Sequence, residues 1–458
     1  MTLPESLLHG IAPAYAAELL AAGLTVHRDG HFFPIAPTLT PEIIDDAELA
    51  ELVADARLLL SAVVKVAQLT LGDAALRARL YHAFTPLEKA CLTPARLAQV
   101  AVARVDYFRG PDGVRALEVN TTIPAMQGYS DLIQHAYLRH VGRALGIDPA
   151  PLVAAAGSNT ADLLASLVAH YRLAGGRAAT PSILIVSRRG DSQLGELRHY
   201  VRAFAAAGHR ARHAWVDDIE LGVGGRVRAG GEPWDLVYRH IFARRVDADS
   251  PMADLLLDPG PNVVLNPVNG PLEVKGILSL LHEAAEGQGP AAATPLDDDE
   301  RDATLRRLPW TRLCVPGPAT LPDGGGVADL PTWAAEHPDG LVLKKSWDYG
   351  GKGVHLGPDT PDWAARVAAA AGDEHLWVLQ ELVRPRAVRH LLVEDGAPVW
   401  RDLYVDINAY ANLGVTARPH GGVARASSHK IVNIAGGGGL APFLTRSVYD
   451  TLAARSPG

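Results

Sequence analysis

Residues 341–357 read LVLKKSWDYGGKGVHLG. Apolar, β-prone segments, LVL and VHL, stand on either side of a turn that holds Gly350, Gly351, Gly353, Asp348 and three lysines. The pattern predicts strand, flexible basic loop, strand. A phosphate loop of the GxxxxGK[ST] kind opens a helix, so that backbone N–H groups and the helix dipole meet the anion. Here the loop runs into VHLG, a strand pattern, and that motif is absent. A loop between antiparallel strands can still close over phosphates as a flap, using backbone amides and lysines. Glycine lets the backbone approach closely and turn freely. The same residues also fit a solvated hairpin turn with charged decoration.

Downstream, WVLQELV (377–383) reads as a buried strand, Trp377, Val378 and Leu379, with Gln380, Glu381, Leu382 and Val383 as its exit. A flap followed by a second strand that ends in an acid and an apolar linker is the plan of a nucleotide cleft. The linker backbone would read an adenine edge and Glu381 would take ribose hydroxyls. A core strand ending at a surface glutamate gives the same letters. Upstream, LEVN (117–120) places Glu118 and Asn120 at i and i+2. On a strand both point to one face, about 7 Å apart at their Cα atoms. Mg²⁺ takes hard oxygen ligands, a few from protein and the rest from phosphates and waters. The alternative is the polar face of a half-exposed strand. DLYVDINAY (402–410) repeats that spacing at Asp406 and Asn408, so these and Asp402 stand as rival ligands.

The chain has 458 residues, 48% hydrophobic and 21% charged, which predicts an ordinary globular protein of roughly two to four structural units. A net charge of −8 argues against nucleic acid as the main partner. Cys91 and Cys314 lie far apart without CxxC spacing, which excludes a disulfide framework or zinc knuckle and fits a reducing cytoplasm. No run approaches the roughly 18 apolar residues of a membrane span. The N-terminal stretch lacks a basic region, and Glu18 breaks its apolar run, so it reads as a mature helix and not a signal peptide. GxSxG and HExxH are absent, which removes the commonest serine-hydrolase and zinc-protease plans.

Along the chain, residues 41–70 carry apolar positions at helical spacing after a Thr40-Pro41 start, and helix is expected to continue over 80–108 up to VDYF. RGPDGV then reads as a turn and ALEVN as a returning strand. SILIVS (182–187), a helix through Phe204, a strand near 212–216, LVYRH and NVVLNP alternate as in a small α/β domain. LEVKGILSLLHEAAE reads as a helix, the stretch rich in Pro, Ala and Asp after it as a loop, and 305–458 as mostly strand with two glycine-rich turns, YGGKG and AGGGG. The expected division is 1–178, a helical region plus the strands bearing ExN; 179–270, an α/β substrate-binding domain; and 271–458, a nucleotide-binding and lid region.

The order of these motifs resembles that of the ATP-grasp ligases, in the permuted form of the eukaryotic-type glutathione synthetases. In ordinary ATP-grasp enzymes the ExN strand follows the glycine loop; here VDYFRGPDGVRALEVNTT lies far upstream of KKSWDYGGKG. The resemblance spans roughly residues 100–440. It implies an ATP-grasp fold, mixed α+β and α/β, with an inserted α/β substrate-binding domain. Glu118, Asn120 and Asp348 would hold Mg²⁺. Lys275 and Lys344 would contact phosphates, with Gly350, Gly351 and Gly353 as flap and Gln380 to Val383 as adenine hinge. Arg104, Arg239 and Thr121 would bind substrate, and Arg425 would meet the reacting carboxylate. Gly436 to Gly439, including Gly437 and Gly438, would form a substrate lid. ATP and Mg²⁺ follow as cofactors, a carboxylate and an amine as small-molecule partners, and a homodimer as the assembly. The implied reaction forms an amide through an acylphosphate; a small-molecule kinase or a non-catalytic nucleotide binder are the alternatives. Ile123 and Ala125 stand where the family has serines, and Leu382 where a lysine is common, so tripeptide formation does not follow from these residues.

Overall fold

The computed structural model describes residues 3–348, 351, 353–434 and 437–455. Gly350 and Gly436, assigned above to the flap and the lid, lie outside the described residues.

Helix α1 (Glu5–Ala22) ends where Gly23 takes a left-handed φ of 96°, and α2 (Asp46–Gly72) buries an apolar face that includes Leu52, Leu59, Leu60 and Val63. The continuous helix expected over 80–108 is not formed. Pro86 and Pro94 each sit at the start of a short helix, Pro86–Ala90 and Pro94–Leu97, where a missing N–H costs nothing but earlier helix cannot run through. Strand β1 (Ala103–Gly110) then turns at Gly113 (φ 102°) into β2 (Gly113–Asn120). The two pair antiparallel, with a register shift between Asp106 and Tyr107. Helix α3 (Gln127–Ala144) leads toward the α/β region.

That region is a four-stranded parallel sheet, β3 (Ile183–Ser187), β4 (Ala211–Trp215), β5 (Leu236–His240) and β6 (Val263–Leu265), in the order β6-β5-β3-β4, with helix α4 (Leu194–Ala206) between β3 and β4. β3 and β5 are buried along their whole length, as strands covered on both faces must be. Helix α5 (Lys275–Ala285) follows. The Asp-rich stretch read as loop instead nucleates α6 (Asp298–Arg307): Asp297 and Glu300 form a reciprocal capping box. Buried Asp55 of α2 accepts from Arg306 at 2.7 Å and Arg307 at 2.6 Å, tying α6 to α2.

The C-terminal part holds more helix than expected but is built on two sheets. β7 (Thr311–Leu313), β8 (Leu341–Lys345), β9 (Val354–Leu356) and β10 (Trp377–Glu381) form an antiparallel sheet in the order β7-β10-β8-β9. β11 (Val388–Glu394) pairs with the first half of the long strand β12 (Ala397–Ala411). The second half of β12 lies between β1 and β13 (Gly422–Ser427), and β14 (Gly439–Ala441) completes the order β14-β13-β12-β1-β2. Strands distant in sequence thus share one sheet, with α2 packed against it. No single helix among the described residues is long and apolar enough to cross a membrane.

Asn266 joins the α/β region to this sheet. Its Oδ1 accepts from Ala101 N–H (2.8 Å) and Val102 N–H (3.3 Å), and its Nδ2 donates to the carbonyls of Val102 (2.7 Å) and Thr121 (2.5 Å). Truncating a buried side chain that satisfies four backbone groups leaves them unpaired, at about 1–3 kcal/mol. Asn266→Ala should therefore lower the melting temperature by several degrees in calorimetry, and Asn266→Asp, which keeps the acceptor but not the donor, should also destabilise.

Candidate active site

A cavity of about 510 Å³ opens where the two antiparallel sheets and the α/β region meet. β8 supplies its floor. Lys344 is buried there because its neighbours on the strand are core residues. Its Nζ donates to Gln380 Oε1 on β10 (2.6 Å) and to the Leu117 carbonyl on β2 (3.3 Å), and Gln380 in turn donates to Thr311 Oγ1 (3.0 Å). Burial pushes the Lys344 ammonium down to about 8, neighbouring Lys275 adds to that, and Glu118 opposes it.

Lys275 opens α5, whose first turn is stitched to the residue after β8. Its N–H donates to the Ser346 carbonyl (2.8 Å), and Gly276 N–H to Ser346 Oγ (3.1 Å). Its Nζ reaches the Asp348 carbonyl (2.8 Å) and stands 3.4 Å from Glu118 Oε2. Glu118 and Asn120, alternate residues of β2, both line the cavity, and so does Asp348. The Glu118 side chain is 35% exposed, while Asn120 Nδ2 is buried with no hydrogen-bond partner among the described residues. Two carboxylates and an amide oxygen facing one space are the hard oxygen donors that suit a divalent cation such as Mg²⁺.

The turn after Asn120 is held by a residue the motif reading missed. Half-buried Glu273 accepts from the N–H groups of Thr121 and Thr122 and from Thr122 Oγ1 (2.8 Å). Burial raises its carboxyl, and those hydrogen bonds and Arg239 oppose the shift. Its signal was an acid two residues before Lys275, unread because its partners are remote in sequence. Thr121, a candidate substrate residue, is buried and does not line the cavity.

At the other end lies a buried ion cluster. Arg104 donates to Asp106 through Nε (2.6 Å) and Nη2 (3.0 Å), and to the Ala125 carbonyl. Arg425 on β13 donates from Nε to both Asp406 oxygens (3.0 and 3.1 Å) and from Nη2 to Asp106 (2.8 Å) and Asp406. Burial opposes the Arg425 charge, but Asp106 and Asp406 outweigh it and raise its pKa. Asp106 is likewise held low, its two arginines overcoming burial, whereas burial dominates at Asp406 and raises it. Arg104, Asp106, Asp406 and Arg425 all line the cavity. The rival metal ligands separate here. Asp406 is bonded to Arg425 and to Asn408 Nδ2 (2.9 Å), and Asp402 is exposed on the half of β12 that pairs with β11.

Arg239 does not belong to this group. It is fully buried, and its guanidinium donates to the carbonyls of Asn266 (2.9 Å), Pro267 (2.8 Å) and Ile241, so its donors are spent on the backbone. Burial pushes its pKa down to about 10. Arg188 and Arg245 of the α/β region line the cavity instead, on loops that carried no recognisable spacing.

Gln380 to Val383 line the opposite wall. Glu381 N–H donates to Trp310 O and Leu382 N–H to Gly340 O, both at 2.8 Å. Val383 N–H has no backbone partner among the described residues and is the donor left to a ligand. Gly351 (φ 74°) and Gly353 line the flap side. Gly437 (φ 101°) and Gly438 fold back on Ile434 O (3.1 Å) and Asn433 O (3.0 Å). They stay off the cavity wall, which residues 430–434 form in their place.

The overall fold is similar to that of a solved structure. A glutathione synthetase-like effector from Globodera pallida, in its apo form, superposes with a TM-score of 0.61 over 93% of this chain and 96% of its own, at 15% identity. The chain has an ATP-grasp fold. A putative gamma-glutamylcysteine synthetase from Methylobacillus flagellatus aligns over 86% of this chain and 87% of its own, with a TM-score of 0.42 and 11% identity. No protein-family model matches the chain, and no curated protein matches it in sequence.

The depressed Lys344 pKa gives the ATP-grasp cleft a pH signature. The ammonium is charged below about 8, and a bound polyphosphate favours the charged form. Affinity for ADP or inorganic triphosphate, measured by calorimetry, should be highest near neutral pH and fall as pH rises through 8 toward 9. Lys344→Met should bind more weakly and without that step.

Proposed function

We propose that this protein is an ATP- and Mg²⁺-dependent carboxylate–amine ligase acting on amino-acid or small-peptide substrates. One observation carries the reading: Lys275, Lys344, Glu118, Asn120 and Arg425 come from separate stretches of the chain and face a single cavity with a hinge at its opposite wall. Phosphoryl transfer needs little from a protein beyond positioning and charge neutralisation, and these residues supply both. Glu118, Asn120 and Asp348 would hold Mg²⁺, which would neutralise charge on the phosphate oxygens.

The protein's own groups do the rest. Val383 N–H and the hinge backbone set the base. Lys344 and Lys275 hold phosphate oxygens from the floor. Arg425, locked by Asp106 and Asp406, meets the substrate carboxylate as a fixed cation and sets its line of approach to the γ-phosphorus. A carboxylate oxygen attacks phosphorus, ADP leaves and an acylphosphate forms. The amine then attacks the acyl carbon, the C–N bond forms, and phosphate leaves with the carboxylate oxygen. The amine proton passes to solvent or phosphate. Water must be kept out while the acylphosphate waits, which fits a glycine flap and the segment 430–434 lining one cavity, the latter tied by Lys430 Nζ to Asp359 in the turn after β9 (2.7 Å).

Phosphate release from ATP, screened against mixtures of amino acids and dipeptides, should require an acid and an amine together. Transfer to an acid or alcohol alone would point to a kinase, and no turnover with tight nucleotide binding to a regulatory protein. Glu118→Gln should cut kcat by about 10²-fold or more, as loss of a charge-stabilising group does, with the melting temperature unchanged. Wild-type turnover in that variant would remove Glu118 from the mechanism.

A further inference from the structure

Away from the cavity, two turns far apart in sequence bring two imidazoles and a carboxylate together. His82 lies in the turn after the helix Ala74–Leu80, and Glu374 and His375 lie in the turn that enters β10. One ligand atom from each falls within 4.8 Å of the other two. The imidazole centroids are 5.8 Å apart, and His375 Nε2 is 3.9 Å from Glu374 Oε1.

Both turns are fixed by other contacts. Asp373 accepts from His375 N–H (2.9 Å) and from the Trp377 indole N–H (2.8 Å), while Lys89 Nζ donates to the His82 carbonyl (3.0 Å). His375 Nδ1 is buried and has no hydrogen-bond partner among the described residues.

We propose that His82, Glu374 and His375 form a second metal site, for a divalent transition-metal ion of the Zn²⁺ class, separate from the oxygen donors of the cleft. Neutral imidazole suits Zn²⁺, Co²⁺ and Ni²⁺, whereas Mg²⁺ takes oxygen ligands. Bond lengths of about 2.0–2.2 Å put tetrahedral ligand atoms roughly 3.3 Å apart. The side chains must close in by about an ångström or more from the observed spacing, and they have room to rotate: Glu374 is 71% exposed and His375 39%. Water fills the fourth position.

The ion ties the turn before the hinge strand β10 to the turn that carries Phe84. Phe84 in turn packs on Trp347, at 5.0 Å between ring centroids, just before the flap. The bound metal is therefore a brace between the helical region and the nucleotide-binding sheet.

The test is titration of metal-free, full-length protein with Co²⁺ in excess Mg²⁺, read by visible absorption, followed by displacement with Zn²⁺. Wild-type protein should show the d–d bands of an imidazole-bound Co²⁺ that Zn²⁺ removes. His82→Ala and His375→Ala should each weaken binding at least tenfold, and Zn²⁺ should raise the melting temperature of wild type but of neither variant. Absence of the bands in wild type, or bands of equal strength in both variants, overturns the site. Because the readout needs no nucleotide, it is independent of the ligase reading.

Discussion

Lys344 reaches across from one sheet to the other, and the cleft is organised around that crossing. A buried ammonium is costly unless its protons are taken up. Here a carbonyl of β2 and the Gln380 amide take two of them, and the Glu118 carboxylate lies near enough to favour the charge. Burial is the main reason the Lys344 pKa falls, and the like charge of Lys275 beside it adds to the shift. A polyanion is the natural complement of such a floor. Donors already fixed in place need not reorganise when charge moves during a reaction, and this is the main lever available to a phosphoryl-transfer site.

The far end of the cavity is fixed by different means. Arg104, Asp106, Arg425 and Asp406 alternate in sign, and each arginine is held by at least two bonds to carboxylates. Burying four charges gains little stability overall, since desolvation offsets much of the attraction. Removing Arg425 or Asp106 is expensive, because Asp406 or Arg104 is then left without its opposite charge. The cluster therefore specifies position. The register shift at Asp106/Tyr107 falls at this point in β1, where a bulge can re-aim a side chain. One sheet thus carries both the carboxylate–amide pair of β2 and the guanidinium of β13, with β1 and β12 between them.

How far this was legible in the letters depended on distance along the chain. LVLKK, VHL, WVLQE and LEVN are local patterns, and each forms a strand with its chemistry on the cavity side. The α/β alternation was equally plain, because buried parallel strands have a continuous apolar signature. Arg239 illustrates the limit. A strand arginine beside a predicted site looks like a ligand group, but two carbonyls from the loop after β6 and that of Ile241 just after β5 had already claimed it. Glu273 fails in the opposite direction, since only its distant threonines give it meaning. Between 80 and 108, apolar periodicity suggested helix, and two prolines cut it into single turns. The capped helix after Asp297 was hidden by a run of acids that favours helix N-termini as much as loops.

The central physical claim is that the two antiparallel sheets close on a triphosphate, with the reacting carboxylate held at the arginine end. A crystal structure with a non-hydrolysable ATP analogue and Mg²⁺ tests it most directly. The account predicts the base at Val383, the phosphates over Lys275 and Lys344, and the γ-phosphate directed toward Arg425. Nucleotide bound elsewhere on the molecule, or seated in the cavity with its phosphates pointing away from Lys344, would contradict it.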